Sequence, residues 1–164
     1  MAMRIKVLLP FLGALLIAGP TSVRAADPAL LAAAGRAVQV CADHMPNSRA
    51  AKDAFASTGY RYEGSDGQYH FYSLNGRRVV VGTSVTHSAT QGCVVLVSKM
   101  TVAEAAQLIQ PWVTAARAKA RLSDRSDVPS AWEGTFKGRP AEVGILGKLN
   151  LSIVRGAAIV LRIK

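Results

Sequence analysis

Cys41 and Cys93 are the two cysteines of this 164-residue chain, and they are its most reactive side chains. A redox pair usually has the spacing Cys-x-x-Cys, which the chain lacks. A zinc site could recruit Cys41 and His44 from the segment Cys-Ala-Asp-His, but the sequence offers no second pair of ligands. Two buried thiols, or a disulfide bond between them, are the structural alternatives.

The three histidines are His44, His70 and His87. No two of them have the i, i+4 spacing of a helical metal site, and the motif His-Glu-x-x-His is absent. A hairpin and the turn after it could bring His70 and His87 together near a carboxylate, as a small exported hydrolase would require. Motifs for an activated serine and for phosphate binding are also missing. The catalytic residues are therefore unknown, and the sequence predicts no cofactor and no metal.

Carboxylates do not form a clear catalytic pair in the sequence. Glu63 and Asp66 share a predicted loop that could hold a cation weakly, although such pairs are more often solvated. Glu133 and Glu142 lie on adjacent predicted strands, but roles as general acid and base would require a cleft. Neither pair predicts a reaction.

The segment 60–78 concentrates aromatic and basic side chains. Five aromatic residues lie within the 13 positions from 60 to 72, and three arginines lie beside them. Aromatics interleaved with arginine can bind a protein partner, a sugar ring or a base. The alternative is that the aromatics only pair across a hairpin and fill a core. The candidate binding residues are Tyr60, Arg61, Tyr62, Tyr69, Tyr72, Arg77 and Arg78.

Residues 1–25 have the three parts of a cleavable secretory signal. Arg4 and Lys6 precede an apolar run of about a dozen residues, which is shorter than the ~20 residues of a membrane-spanning helix. Small residues before Ala25 suit a cut directly after it. We therefore expect a single mature domain over 26–164, with no transmembrane segment, in the bacterial periplasm or outside the cell.

The whole chain carries a formal net charge of +10, and its sequence pI is about 10.2. A leader that removes Arg4, Lys6 and Arg24 would leave a charge of +7. This basic excess predicts a weak attraction to anionic surfaces. No motif specifically indicates nucleic acid.

Two predicted elements position the cysteines. Residues 28–44 have helical periodicity, Asp27 can cap the helix, and Cys41 lies on its apolar side. Cys93 lies in a run that is apolar on both faces, which is typical of a central strand covered on both sides. Two inward-facing cysteines in an exported chain predict a Cys41–Cys93 disulfide.

The remaining predicted elements are a helix over 47–58, a hairpin turning at Asn75-Gly76, a helix after Thr101, and hairpins at 137–138 and 154–156. We expect Pro111 to kink or divide the helix after Thr101 and the basic tail 117–121 to suit its C-terminal end. In the last hairpin, a three-residue loop over 154–156 would set Leu151 opposite Ile159.

This order predicts an α+β fold: an antiparallel sheet of about six to seven strands with two or three helices on one face and one disulfide. The sequence shows no internal repeat. We expect a non-enzymatic domain that binds another envelope protein or an anionic envelope polymer. The alternative is a small exported hydrolase that uses His70, His87 and a carboxylate.

Overall fold

The computed structural model describes residues 26–44, 48–84, 91–116, 119–121, 130–151 and 154–163. Within these ranges the helices are α1 (Pro28–His44), α2 (Ser48–Ser57) and α3 (Val102–Ala115). The strands are β1 (Arg61–Ser65), β2 (Tyr69–Leu74), β3 (Val79–Ser84), β4 (Gln91–Val97), β5 (Lys119–Arg121), β6 (Ser130–Phe136), β7 (Arg139–Leu151) and β8 (Val154–Ile163). The predicted α+β class is confirmed, and the described strands form one antiparallel sheet of eight.

Local sequence signals explain how α1 and α3 begin. The Asp27 carboxylate accepts a hydrogen bond from the Ala29 N–H at 2.9 Å, which satisfies a free donor at the start of α1. At α3, the Thr101 side chain accepts from the Glu104 N–H, while the Glu104 carboxylate accepts from the Thr101 N–H. This is the predicted capping box. Both helix starts are therefore determined by residues next to them in the chain.

The sheet consists of two halves with the same topology. In each half a helical segment precedes a meander of four strands, and the overall strand order is β1-β2-β3-β4-β8-β7-β6-β5. The last strands of the halves, β4 and β8, pair at the centre. One row of paired residues crosses the four central strands symmetrically, in the order Val81, Val95, Ile159 and Ile145. The matching residues share only apolar character, so the repeat is visible in topology and not in sequence.

The main core lies between one face of the sheet and the three helices. Cys41 and Cys93 form the predicted disulfide there, with their Cα atoms 6.0 Å apart, and this bond ties α1 to β4. Cys93 itself is fully buried. The predicted disulfide is therefore confirmed, and it fixes α1 over the middle of the sheet.

The opposite face of the sheet has no helix packed on it among the described residues. Leu96 and Ala158 are nevertheless 2% and 0% exposed and form a second apolar cluster there. Half-buried Val80, Val94 and Leu146 surround them. The predicted placement of the helices on one face of the sheet therefore holds for the described part of the chain, and on the other face of β4 these neighbouring side chains cover Leu96. We call this surface the helix-free face.

The register of the last hairpin differs from the prediction. Leu151 pairs with Val154, and Ile159 lies opposite Ile145 instead of Leu151. An irregularity between Leu146 and Leu149 shifts the pairing, so a single alternating pattern cannot describe the whole of β7. Residues 154–156, the predicted loop, belong instead to β8, and residues 152–153 lie outside the described residues.

Gly156 has a role that hairpin rules do not suggest. It lies within β8, where the turn after β4 crosses the strand: the Lys99 N–H donates to Arg155 O, and the Ala157 N–H donates to Met100 O, both at 2.7 Å. A Cβ at Gly156 would collide with the Val97 carbonyl oxygen. Close approach of two backbone segments therefore requires glycine here.

The structure decides two expectations about α3. The helix runs through Pro111 without division, so division is excluded and a kink stays a prediction. It ends at Ala115, and Lys119 to Arg121 form β5 instead of a basic helical tail, with Ala120 opposite Trp132. The open edge of β6 offers these residues backbone partners that a helix end cannot provide.

The turn of the first hairpin begins at Asn75 but is longer than the predicted Asn75-Gly76 turn. Asn75, Gly76 and Arg77 have φ angles of 52°, 63° and 68°, so the turn extends through Arg78 and β3 starts at Val79. The predicted Asn-Gly signal is correct, but the third left-handed residue lengthens the loop.

Candidate interaction surface

Strand alternation divides the aromatic-arginine segment between the two faces of the sheet. Tyr62 pairs with Tyr72 on the face that carries the helices, and Lys52 of α2 lies 5.3 Å from the Tyr62 ring. Arg61 pairs with Ser73 on the helix-free face. Residues that are neighbours in sequence therefore cannot form one flat patch. They meet only around β1, which is an edge strand of the described sheet.

Tyr60 and Tyr72 belong to the core and are 4% and 1% exposed. The Tyr60 hydroxyl donates to the Ala33 carbonyl at 3.1 Å, which anchors the end of α2 to α1. The Tyr72 ring stacks on Phe55 with centroids 5.0 Å apart. Burial raises the pKa of Tyr60 to about 12, against a smaller opposing effect of Arg36. A partner cannot reach these two tyrosines, so they are removed from the candidate surface.

Tyr62 is the exposed tyrosine of the group. Its side chain is 43% exposed, more than that of any other large hydrophobic residue in the described chain. Its hydroxyl lies 3.2 Å from His70 Nδ1, and its ring centroid lies 5.6 Å from that of Tyr72. With Lys52 on its other side, the ring is held from three directions. Tyr62 therefore presents an aromatic surface that needs little ordering before it binds.

Glu63 organises two arginines at the same edge of the sheet. Its Oε2 accepts hydrogen bonds from Arg77 at 2.7 and 3.1 Å, and its Oε1 accepts from Arg61 Nε at 2.9 Å. Ser73 Oγ donates to the same Oε1 at 2.7 Å. The hydrogen bonds from Ser73, Arg77 and Arg61 lower the pKa of Glu63 to about 2. One carboxylate thus partly neutralises two of the predicted binding arginines.

The other candidates lie at the margins of this edge. Arg78 lies 3.9 Å from the Asp27 carboxylate, in a loose ion pair at the start of α1. Tyr69 is half-buried on the helix-free face, where its ring centroid lies 6.3 Å from that of Phe71. Gly82 lies opposite Phe71, and a Cβ there would lie 3.4 Å from the Phe71 ring. The glycine leaves room for the aromatic pair on an open sheet face.

These residues define what we call the β1 edge surface. Its members are Arg61, Tyr62, Tyr69, Arg77 and Arg78. All five are among the candidates predicted from the sequence. Sequence reasoning missed Glu63 as their organiser and Lys52 as the support of Tyr62, because both roles depend on contacts between separate elements.

The predicted hydrolase residues are not brought together within the described structure. The Nδ1 atom of His70 faces Tyr62, and His87 lies outside the described residues. Asp66 accepts hydrogen bonds from the Tyr69 and Gln68 N–H groups at 2.7 and 2.9 Å, which lower its pKa and assign it to the turn. No group of three or more His, Cys, Asp or Glu residues suited to a metal was found in the described part of the chain.

Glu133 and Glu142 pair directly across β6 and β7, and each has a further interaction. A small apolar pocket lies nearby, on the other face of the sheet, and includes Trp112, Trp132 and Phe136 in its walls. The Trp112 and Phe136 rings meet edge to face at 5.1 Å. With almost no polar atoms in its lining, the pocket continues the core and offers no group for a reaction.

No protein-family description matches the chain, and no curated protein or solved structure is significantly similar to it. Among the described residues, no helix is both long enough and apolar enough to span a bilayer. Any assignment of function therefore depends on the chain's own surface.

Proposed function

We propose that this chain is an exported, non-enzymatic domain that binds a protein partner through the β1 edge surface. The observation that carries the proposal is Tyr62, an exposed aromatic ring held by His70, Lys52 and Tyr72 on the edge strand. Arg61 and Arg77, joined through Glu63, belong to the same edge of the sheet. Tyrosine and arginine are among the residue types most enriched at energetic hot spots. A ring that is already fixed loses little conformational entropy when a partner covers it.

Export is the second part of the proposal. Removal of residues 1–25 would deliver the domain to the periplasm or the medium. The Cys41–Cys93 bond supports this, because disulfides persist in oxidising compartments. The proposal that the chain is a basic envelope protein with a cleaved leader rests on the sequence pattern and on this bond.

A protein is a better candidate partner than an anionic polymer. A polymer site needs cations that are free to pair with the polymer, whereas Arg61 and Arg77 already share Glu63. A protein surface can instead cover the Tyr62 ring and accept hydrogen bonds from the outer N–H groups of the arginines. The hydrolase alternative needs His87 and stays a prediction from sequence.

The test is capture of a partner from a native periplasmic extract by immobilised mature protein. We expect Tyr62→Ala to weaken the binding free energy by about 2 kcal/mol, a roughly thirtyfold loss of affinity, because it removes the aromatic contact. Arg77→Ala should also weaken capture. Tyr62→Phe keeps the ring, and Arg155→Ala removes an exposed charge in the other half, so both should bind like the native chain.

Thermal melting of each variant separates binding from folding, because the two truncations should leave the melting temperature nearly unchanged. Equal capture by Tyr62→Ala and the native chain would refute the edge surface. Captured material that resists protease and is released by moderate salt would identify an anionic polymer instead and would overturn the choice of a protein partner.

A further inference from the structure

Ala26, the first described residue, is part of the core although it precedes α1. It is 5% exposed and belongs to the main apolar cluster. Its backbone nitrogen lies 3.1 Å from Glu104 Oε1, across 78 positions of the chain. The residue directly after the expected cleavage point is therefore docked against α3.

Glu104 is arranged to receive this nitrogen. One carboxylate oxygen, Oε2, accepts from the Thr101 N–H at 2.8 Å and from the Thr101 hydroxyl at 2.9 Å. The capping box is complete with that oxygen alone. The other oxygen, Oε1, points to Ala26 and is not needed for the cap.

We infer that Glu104 is a binding site for the free α-ammonium group of Ala26, which cleavage after Ala25 creates. This inference rests on the export part of the proposed function. Hydrolysis of the Ala25–Ala26 peptide bond places the hydroxyl group of water on the Ala25 carbonyl carbon and a hydrogen on the Ala26 nitrogen. The resulting amine takes up one more proton, so a neutral amide donor becomes a cation beside a carboxylate.

The charges around Ala26 explain why such a site is needed. A cation at this position lies near the positive N-terminal ends of both α1 and α3, where it is unfavourable. Two carboxylates on these helix starts can compensate for it, Asp27 and Glu104. Asp27 is already shared with Arg78 at 3.9 Å, whereas Glu104 Oε1 faces Ala26 directly. Glu104 therefore carries most of the compensation.

Protonation gives the pairing a defined pH range. Burial raises the pKa of Glu104, but hydrogen bonds from Thr101 and Ala26 outweigh burial and lower it, so the carboxylate is ionised at neutral pH. An ammonium paired with it should have a raised pKa in the folded protein. Its contribution to stability is then fully present below the unfolded value of about 7.7–8.0 and is lost as pH rises through the folded value.

The experiment compares four chains in a cycle. Two begin at Ala26, released from a fusion partner without extra residues, and carry either Glu104 or Glu104→Gln. The other two have one additional glycine before Ala26, which moves the ammonium away by one residue. Because Glu104→Gln also weakens the capping box, the extended pair measures that loss separately.

We expect the α-amino group of the native chain, followed by NMR titration, to have a pKa about one unit above 7.7–8.0 and to fall to that range or below it in Glu104→Gln. At pH 6.5 the added glycine should raise the unfolding equilibrium constant about tenfold when Glu104 is present and little in the Glu104→Gln background. Equal pKa values in the two chains, or additive effects in the cycle, would overturn the pairing.

N-terminal sequencing of the exported protein tests the proposed processing independently. A start at Ala26 combined with an additive cycle refutes the ammonium site alone. A start at another residue refutes the cleavage position, and with it the biological role of the site, whatever the cycle shows. Either result leaves the test of the β1 edge surface unaffected.

Discussion

The two halves of the sheet have the same strand topology but are attached to their helices in different ways. The first half, β1 to β4, has a covalent link to α1 through Cys93. Cys93 lies two residues before Val95, which pairs with Ile159 at the centre of the sheet. The matching position in the second half, two residues before Ile159, is Ala157, which cannot form such a link. In the second half, the crossing at Gly156 instead joins the turn before α3 to β8 through two backbone hydrogen bonds.

This contrast shows that the strand arrangement does not depend on one kind of attachment. The first half combines its disulfide with the stacked rings of Phe55 and Tyr72, and its outer edge carries the exposed Tyr62. The second half relies on backbone contacts that tolerate no added atom. The first half should therefore be sensitive to loss of a bond, and the second half to a gain in volume.

The largest effect should follow from removal of the disulfide. Cys41→Ala combined with Cys93→Ala opens a loop that spans 52 positions. The chain-entropy treatment predicts a loss of about 4 kcal/mol in the free energy of unfolding. Urea denaturation measures it, and reduced native protein is the matched control. A loss below about 1 kcal/mol would mean that packing alone holds α1 to β4.

A smaller but clear effect is expected in the second half. Gly156→Ala places a methyl group against the Val97 carbonyl, and overpacking of this kind costs about 2–3 kcal/mol. Gly92→Ala is the control, because its nearest contact would be an ordinary 3.8 Å. The control should change the free energy of unfolding by less than about 0.5 kcal/mol. Similar losses in both variants would contradict the crossing as the cause.

The smallest effect concerns the exposed edge of the first half and depends on pH. The folded pKa of Glu63, about 2, lies below its usual value of 4.5. Its contribution to stability is therefore present above the usual value and is lost as pH falls towards the folded value. Glu63→Gln should flatten this part of the pH profile of the urea midpoint. Identical slopes for the native chain and Glu63→Gln between about pH 5 and 2 would contradict the network with Arg77.

Local sequence signals predicted the parts of the fold that neighbouring residues determine. Asp27, the Thr101–Glu104 capping box and the Asn75-Gly76 turn each act over a few positions, and the structure places them as expected. The disulfide was predictable because helix and strand periodicity both pointed a cysteine inward. The β6–β7 hairpin also turns at Lys137-Gly138, as predicted.

Features that depend on contacts between distant segments were not predictable in the same way. The register of β8 depends on an irregularity in β7 and on a crossing turn at Lys99, neither of which leaves a periodic pattern. Sequence adjacency also suggested one aromatic patch. Packing of α2 over Tyr72, and pairing of Glu63 with Arg77, decided which residues of that segment reach the surface.

The pairing of β4 with β8 also affects how the domain can fold while the chain appears in order from its N-terminus. β4 is complete long before β8, so one of its edges lacks a backbone partner until the last described strand arrives. Unpaired strands in partly folded chains are prone to pair with other molecules. A chain that crosses a membrane unfolded would therefore depend on protection of β4 during translocation, and any truncation before β8 would leave that edge open permanently.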